Sequence, residues 1–373
     1  MGEPRFHIVY CLAALDLGGS ELATLELAEG LAARGHRVTL IAAPGPLAPR
    51  AAAAGIEILP WAIGRKRART LLWVPRLRAW LAHRRPDILH LQARLPGWLA
   101  YLAWRTLPAG RRPHLVSTVH GHYSIGVYSR VMTRGERVIA VSASIEDYLG
   151  RLDPGCRGRV AVIPGGIDPR HYRHGWRPEA EWLAAFRATL GVQPTTRLVT
   201  LVARGTRLKN HAAFIRLIAA LRRLGCDVHG LLVGGFAPRR RHYLTELQRQ
   251  AAELGVASAL HFIGERTDTR EIIATSNLVV NLSSKPEAFG RTLLEALALG
   301  VPAAGWANGG SGEILGRMYP AGLVPFGDDA ALADTARRLL TAPPQVPDTQ
   351  PYPLEWTIER TLDLYRSLDP DLS

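Results

Sequence analysis

Short apolar runs alternate with amphipathic segments along most of the chain. Residues 6–14 are almost entirely apolar, which predicts a buried strand. A helix is predicted next, with Ser20 as its N-cap and apolar positions at helical spacing as far as Gly35. A second apolar run at residues 37–43 predicts the following strand. Strands and helices that alternate in this way are typical of a parallel sheet in an α/β domain.

The alternation continues and predicts nine further strands in two series. They are predicted at residues 86–91, 114–120, 137–142, 160–164, 198–203, 228–234, 260–264, 278–282 and 302–305. The polar stretch 168–182 lies between the two series, and a last helix is predicted at residues 354–368. Because 373 residues exceed the roughly 250–300 at which a single core stops growing, we predict two domains.

The predicted fold class is α/β, with two Rossmann-like, doubly wound parallel-sheet domains facing across a cleft. The predicted boundaries are 1–172 for the first domain and 173–352 for the second. Residues 353–373 are predicted to form a C-terminal helix that crosses back to the first domain.

Charge is concentrated in the first half. The formal net charge is +14, and residues 1–172 hold 23 basic against 12 acidic residues, a net +11. A basic half attracts an acidic partner such as nucleic acid, anionic lipid or a phosphorylated ligand. The three cysteines are far apart, so we expect reduced thiols in the cytoplasm. No uncharged apolar stretch approaches the roughly 20 residues that span a bilayer, so any membrane contact is expected to be peripheral.

The most informative segment is SKPEAFGRTLLEALALGVP at residues 284–302. It predicts a helix that begins near residues 289–292 and ends at Gly300. The first turn of a helix presents unpaired N–H groups and the positive end of the dipole, which suit an anion. Glu287 precedes this helix and Glu295 lies on it, so both carboxylates can accept hydrogen bonds from the hydroxyls of a sugar or ribose. The alternative is an ordinary loop with a solvated glutamate.

Three further places carry candidate chemistry. Arg204 and Lys209 follow the first strand of the second half, without the G-x-x-x-x-G-K-[ST] pattern of a P-loop. His120 lies at the end of a predicted strand and is either a site residue or a hydrogen-bonded core histidine. Gly19 in the first loop allows close approach of a ligand, or serves a tight turn.

The segment around Glu287 and Glu295 resembles a known family. Their spacing is the E-x7-E arrangement of retaining GT-B glycosyltransferases, and PEAFGRTLLEALALGVP resembles family 4 of these enzymes (GT4). The resemblance covers nearly the whole chain. It includes Gly18-Gly19 and residues 86–90, 118–121, 138–142, 163–168, 262–264 and 322–328.

The resemblance implies a role for each candidate residue. Glu295 would bind the donor ribose, and Glu287 would contact hydroxyls of the transferred sugar. The first helical turn would assist them, and it comprises Phe289, Gly290, Arg291 and Thr292. Arg204 and Lys209 would grip the donor diphosphate, whose negative charge grows as the bond breaks. His120 would contact the donor sugar, and Gly19 would approach the donor phosphate or the acceptor.

The implied activity is retaining transfer of a sugar from a nucleotide-diphosphate sugar, UDP- or GDP-linked, to a saccharide or lipid-linked acceptor. The resemblance further implies bacterial envelope polysaccharide, such as lipopolysaccharide, as the product. The N-terminal domain would hold the acceptor and the C-terminal domain the donor. No metal is expected, since the single D-x-D, Asp369-Pro370-Asp371, is at the C-terminus.

Residues 61–85 raise a separate hypothesis about location. They hold eight Lys or Arg, no acidic residue, and three tryptophans, Trp61, Trp73 and Trp80. Tryptophan with arginine suits the interface of an anionic membrane, so this segment is expected to dock on the inner face of the cytoplasmic membrane. The alternative is a solvated basic helix packed on the sheet.

Two other functions remain open. A nucleotide-sugar 2-epimerase shares the GT-B fold, but the E-x7-E context disfavours it. A basic nucleic-acid-binding protein is supported by charge alone, without stacking or zinc-knuckle patterns, so no specific nucleic-acid partner is expected.

Overall fold

The computed structural model describes residues 5–349 and 351–368. Contacts divide the chain into two compact units, one made of Met1–Gly166 with Tyr352–Ser373 and the other of Ile167–Pro351. Each unit contains one sheet whose recorded strand pairs are all parallel. This confirms the predicted class of two doubly wound α/β domains.

The first unit has a seven-stranded sheet in the order β3-β2-β1-β4-β5-β6-β7. Its strands are β1 His7–Ala14, β2 Arg37–Ala43, β3 Glu57–Leu59, β4 Ile88–Leu91, β5 His114–Val119, β6 Arg137–Ala140 and β7 Val160–Val162. The order reverses between β1 and β4, which lie side by side although two strands separate them in sequence. Ligands of such sheets bind beyond the carboxyl ends of the strands at this reversal.

The described part of the first unit contains six α-helices. They are α1 Gly19–Ala33, α2 Ala48–Ala53, α3 Trp73–Arg84, α4 Arg94–Arg105, α5 Ala143–Leu152 and the C-terminal α13 Leu354–Arg366. The last of these packs on α1, where Ile358 occupies the space beside Gly30. Ile358, Leu362 and Tyr365 enter the same apolar core as β1. The C-terminal helix is therefore an integral part of this unit.

The second unit has a six-stranded sheet in the order β10-β9-β8-β11-β12-β13. Its strands are β8 Arg197–Val202, β9 Val228–Val233, β10 Leu260–Gly264, β11 Leu278–Asn281, β12 Ala303–Trp306 and β13 Leu323–Val324. Its helices are α6 Ala180–Leu190, α7 His211–Arg223, α8 Arg241–Glu253, α9 Thr269–Thr275, α10 Arg291–Ala298, α11 Gly310–Met318 and α12 Asp329–Thr341. Here the order reverses between β8 and β11.

The element order follows the sequence expectation, with local differences. The prediction that Ser20 caps the first helix is wrong, because Gly18 is the N-cap and Ser20 lies inside the helix. The Glu21 carboxylate lies where a Cβ on Gly18 would be, so a glycine suits that position. The edge strands β3 and β13 were not predicted, since runs of three and two residues carry little periodicity.

The tryptophans of the basic segment pack on the first unit. Trp61 is buried, and its ring stacks on that of Trp73 at 5.2 Å between centroids. The Arg76 guanidinium lies over both rings, 4.7 and 5.0 Å from their centroids. Within residues 5–349 and 351–368, no helix is both long and apolar enough to cross a bilayer.

Candidate functional site

In the second unit, the candidate residues gather at the reversal of strand order. Lys209 follows β8 and Glu287 follows β11, and these two strands are neighbours in the sheet. The Lys209 ammonium donates a hydrogen bond to Oε1 of Glu287 across this point. Two residues that are far apart in sequence thus form one ion pair at the carboxyl ends of the strands, where doubly wound sheets bind ligands.

The Glu287 carboxylate is held by more than one donor. Ser283 Oγ also donates to Glu287 Oε1, and the Asn281 amide donates to the same oxygen at 3.4 Å. The Asn281 Oδ1 accepts a hydrogen bond from the Ser283 backbone N–H at 3.2 Å, which holds the Asn281 side chain in place. The three hydrogen bonds from Lys209, Ser283 and Asn281 all end on Oε1 of Glu287 and so orient its carboxylate.

The electrostatic balance keeps Glu287 ionised. Burial by itself would raise the pKa of Glu287, but the Lys209 charge and the hydrogen bonds from Lys209, Ser283 and Asn281 outweigh it. The pKa of Glu287 is therefore held below its usual value. A carboxylate ionised in this way can accept hydrogen bonds from ligand hydroxyls.

The loop that begins at Glu287 is fixed by a close approach of two backbones. The Gly310 N–H donates to the Glu287 carbonyl at 2.8 Å, and Glu287 and Gly309 form an isolated parallel β-bridge. Gly290 has φ +94°, and a Cβ there would lie 2.9 Å from the Ser311 Cα. Only glycine fits such a position without strain. Gly290 is also the N-cap of α10, and no side chain of the described residues caps that helix end.

Glu295 lies within the same helix and is buried. Its Oε1 accepts hydrogen bonds from Arg291 Nε at 2.7 Å and from the Tyr172 hydroxyl at 3.1 Å. Arg291 and Glu295 are spaced i,i+4, which places them on one helix face. The sequence did not indicate Tyr172, because only the folded chain brings it to this helix. Thr292 stands beside Arg291 in the first turn, partly buried.

Arg204 takes no part in the ion pair of Lys209 and Glu287. It is exposed, and its side chain makes no ion pair or hydrogen bond with any residue that the structure describes. Asn210, which follows Lys209, has φ 54° and caps α7 by accepting from the Ala213 N–H at 3.4 Å. Asparagine tolerates this left-handed conformation better than most residues that carry a side chain.

In the first unit, three loops meet at the carboxyl ends of β1, β4 and β5. The His120 Nε2 lies 2.6 Å from Oε1 of Gln92, which follows β4. The Thr24 hydroxyl lies 3.3 Å from the same Gln92 oxygen and donates to the Ser20 carbonyl on α1. Gly19 is the first residue of α1. The structure therefore links the helix that begins at Gly19 to His120 through a glutamine that sequence reasoning missed.

Burial sets the protonation state of His120. It lowers the pKa of His120 to about 4, so the ring is neutral near pH 7. A neutral imidazole carries one N–H and one acceptor nitrogen, and the contact with Gln92 at Nε2 restricts which way the ring faces.

A buried polar chain lies beside His120. His90 Nε2 lies 2.7 Å from the Thr118 hydroxyl, and His90 Nδ1 lies 2.6 Å from the Tyr365 hydroxyl. Tyr365 in turn lies 3.0 Å from the Tyr10 hydroxyl. Burial, with the neighbouring His120, lowers the pKa of His90 to about 3. This chain ties α13 to β1 and β4 through polar groups that satisfy one another.

The described residues contain no group of three or more histidine, cysteine, aspartate or glutamate side chains arranged to hold a metal ion. Cys11, Cys156 and Cys226 are free thiols, and burial raises the pKa of the Cys11 thiol to about 12.

Two family models match successive parts of the chain. Glycosyltransferase Family 4 matches residues 17–171, and Glycosyl transferases group 1 matches residues 184–351. A 2-deoxystreptamine N-acetyl-D-glucosaminyltransferase of Streptomyces fradiae is 32% identical over 63% of this chain and 56% of its own length. The lipopolysaccharide core mannosyltransferase LpsB of Rhizobium meliloti is 27% identical over 58% of each chain. The matches thus span little more than half the length of these curated relatives.

Solved structures resemble the whole chain. The Anabaena protein HepE, crystallised in complex with UDP-glucose, superposes with a TM-score of 0.81 at 21% identity and covers 97% of this chain and 100% of HepE. The lipopolysaccharide glycosyltransferase WaaG superposes with a TM-score of 0.68 at 18% identity over 98% of both chains. At these identities the likeness establishes the GT-B fold.

Proposed function

Since the chain belongs to the glycosyltransferases of family 4 and group 1, we propose that it transfers a sugar from a nucleotide-diphosphate sugar to an acceptor. We propose that the donor binds in the second unit, at the reversal between β8 and β11. The observation that carries the proposal is the Glu287 carboxylate, held ionised by Lys209 at the start of α10. An oriented carboxylate beside a helix N-terminus offers acceptors for sugar hydroxyls and positive potential for phosphates.

In this proposal each group of the second unit has a defined part. Glu287 accepts hydrogen bonds from the transferred sugar, and Glu295 accepts from the donor ribose. The backbone N–H groups from Phe289 to Thr292, at the N-terminal end of α10, face the donor. Gly290, which lacks a side chain, permits that approach.

The leaving diphosphate gains negative charge as the glycosidic bond to phosphate breaks. Arg204 and Lys209 stabilise that charge, so the proposed reaction requires no metal ion. Exposed Arg204 has its guanidinium available for a ligand. In the proposed complex, Lys209 contacts both Glu287 and the diphosphate and so couples sugar recognition to departure of the leaving group.

In the first unit, His120 contacts the donor sugar as a neutral ring, and Gly19 approaches the donor phosphate or the acceptor. The proposed reaction retains the anomeric configuration, with attack on the face from which the phosphate leaves. Anomeric proton couplings of donor and product test this directly, and an inverted linkage would contradict it.

The relatives support the proposed donor and acceptor classes. HepE was crystallised with UDP-glucose, which favours a UDP-sugar here, with a GDP-sugar as the alternative. LpsB and WaaG act in lipopolysaccharide synthesis, which supports a saccharide or lipid-linked acceptor of the bacterial envelope. Such an acceptor would place the protein peripherally at the inner face of the cytoplasmic membrane.

A thermal-shift panel of UDP, GDP, ADP, CMP and their common sugars tests the donor site, with and without a chelator. A nucleotide at about 100 times its Kd stabilises the fold by about 2.7 kcal/mol. The Glu295→Gln variant should lose that shift, whereas Glu253→Gln, the same change on an exposed part of α8, should keep it. No shift with any nucleotide, or a full shift in Glu295→Gln, would overturn the proposed donor site.

A further inference from the structure

The 65–72 segment combines exposed positive charge with exposed leucine. Arg65, Lys66, Arg67 and Arg69 are all exposed, and none makes an ion pair or side-chain hydrogen bond with any residue in the described part of the chain. Leu71 and Leu72 are 61% and 71% exposed, although most large apolar side chains of the fold are buried. Two adjacent exposed leucines beside four unpaired cations indicate a surface that binds a partner.

The segment is held in place from its inner side. Thr70 is buried; its hydroxyl donates to the Arg65 carbonyl and its N–H donates to the Arg67 carbonyl at 2.9 Å. Trp61 and Trp73 stack behind it with Arg76 over their rings. These tryptophans therefore serve the fold, and the leucines of the short 3-10 helix Ala68–Leu72 form the apolar part of the surface.

We propose that the 65–72 segment docks the protein on an anionic lipid bilayer, with Leu71 and Leu72 entering the interface and the four cations contacting headgroups. The charge is complementary, since residues 61–85 contain no acidic side chain. A nucleic acid would use the cations but leave two leucines in water, so the leucine pair favours lipid over nucleic acid. The docking extends the proposed function, because it brings the enzyme to lipid-linked acceptors, but it can be measured without any transfer activity.

Vesicle flotation of the full chain tests the docking, using phosphatidylcholine with and without phosphatidylglycerol at low and high salt. Binding is expected to need the anionic lipid and to weaken with salt. Near an anionic surface each cation contributes about 1 kcal/mol, which is about fivefold in affinity. The triple variant Arg65→Gln/Lys66→Gln/Arg67→Gln should therefore bind about a hundredfold more weakly.

Matched variants separate charge from the apolar contact. Arg241→Gln/Arg249→Gln/Arg337→Gln removes three exposed charges from the second unit and should bind like wild type. Leu71→Ser/Leu72→Ser should weaken binding at least tenfold, because serine lacks the apolar surface that each leucine buries in the lipid. The equivalent change at Leu224 and Leu254, which are 52% and 42% exposed, should have no effect.

Thermal unfolding and the nucleotide shift of each variant show whether it is folded, and they test the donor site separately from docking. Absence of binding to anionic vesicles would overturn the proposal, and so would leucine variants that bind like wild type. A DNA gel shift that depends on the 65–67 cations, without vesicle binding, would overturn it in favour of a nucleic-acid surface.

Discussion

Replacing Lys209 with methionine removes the only charge that pairs with Glu287 among the described residues. The aliphatic length is nearly kept, so the main change is electrostatic. Glu287 stays half-buried, with hydrogen bonds from Ser283 and Asn281 alone. Because burial then dominates, the pKa of Glu287 should rise above its usual value.

The expected loss of stability can be estimated from the exposure of the pair. Breaking a fully buried ion pair costs about 3–5 kcal/mol of stability. Here the side chains of Lys209 and Glu287 are 28% and 17% exposed, so solvent screens part of the interaction between their charges. We expect about 2 kcal/mol near neutral pH. For a domain of 150–250 residues this lowers the Tm of the second unit by about 4–8 °C.

The pH dependence gives a sharper test. In the wild type the pKa of Glu287 is lowered by folding, so its contribution is present above the unfolded pKa and is lost as pH falls through the folded pKa. In Lys209→Met the folded pKa is raised instead, so the variant loses stability as pH rises through the unfolded value. The Tm difference between the two proteins should therefore be larger at about pH 7 than at about pH 5.

Differential scanning calorimetry at both pH values measures this difference. Lys285→Met is the matched control, because Lys285 is exposed two residues before Glu287 and makes no ion pair with a described residue. It should shift the Tm by less than about 2 °C. Equal effects of the two lysine variants, or a Tm difference independent of pH, would refute the role given to the pair.

Two other substitutions test the fold around the candidate sites. Gly290→Ala should lower the free energy of unfolding by at least about 2 kcal/mol, because φ is positive there and the new Cβ would overlap α11. The same variant should abolish the nucleotide shift. The control Gly316→Ala, in open space within α11, should leave stability unchanged or raise it. Tyr365→Phe leaves the buried His90 without a partner at Nδ1 and should cost about 2 kcal/mol in thermal unfolding. Tyr128→Phe, at an exposed ring, should change the Tm little, and a similar loss in both tyrosine variants would contradict the buried chain.

Local pattern determined much of this protein. Alternating apolar runs and amphipathic segments are read within ten to twenty residues, so the order of the main strands and helices followed from the sequence. The end of α10 was predictable too, since Gly300 has φ +78° and Pro302 follows it. The family resemblance rested on local motifs too, of which the one around Glu287 and Glu295 is the most informative.

Tertiary structure decided which of these residues meet. Lys209 and Glu287 are paired because β8 and β11 are neighbours, and no local signal states that neighbour relation. Gln92 follows a predicted strand and carries no sequence signal of its own. It meets His120 because β4 and β5 pair in parallel.

The tertiary structure also decided which side chains of the basic segment are buried. The sequence places three tryptophans and eight cations in residues 61–85. In the fold Trp61 is buried and the partly buried Trp73 stacks on it, whereas Leu71 and Leu72 face water. The spacing of residues along one element sets which of them share a face, whereas strand order and packing between elements set what that face meets. Spacing along an element is a short-range property of the chain. Contacts between elements exist only once distant segments have packed together.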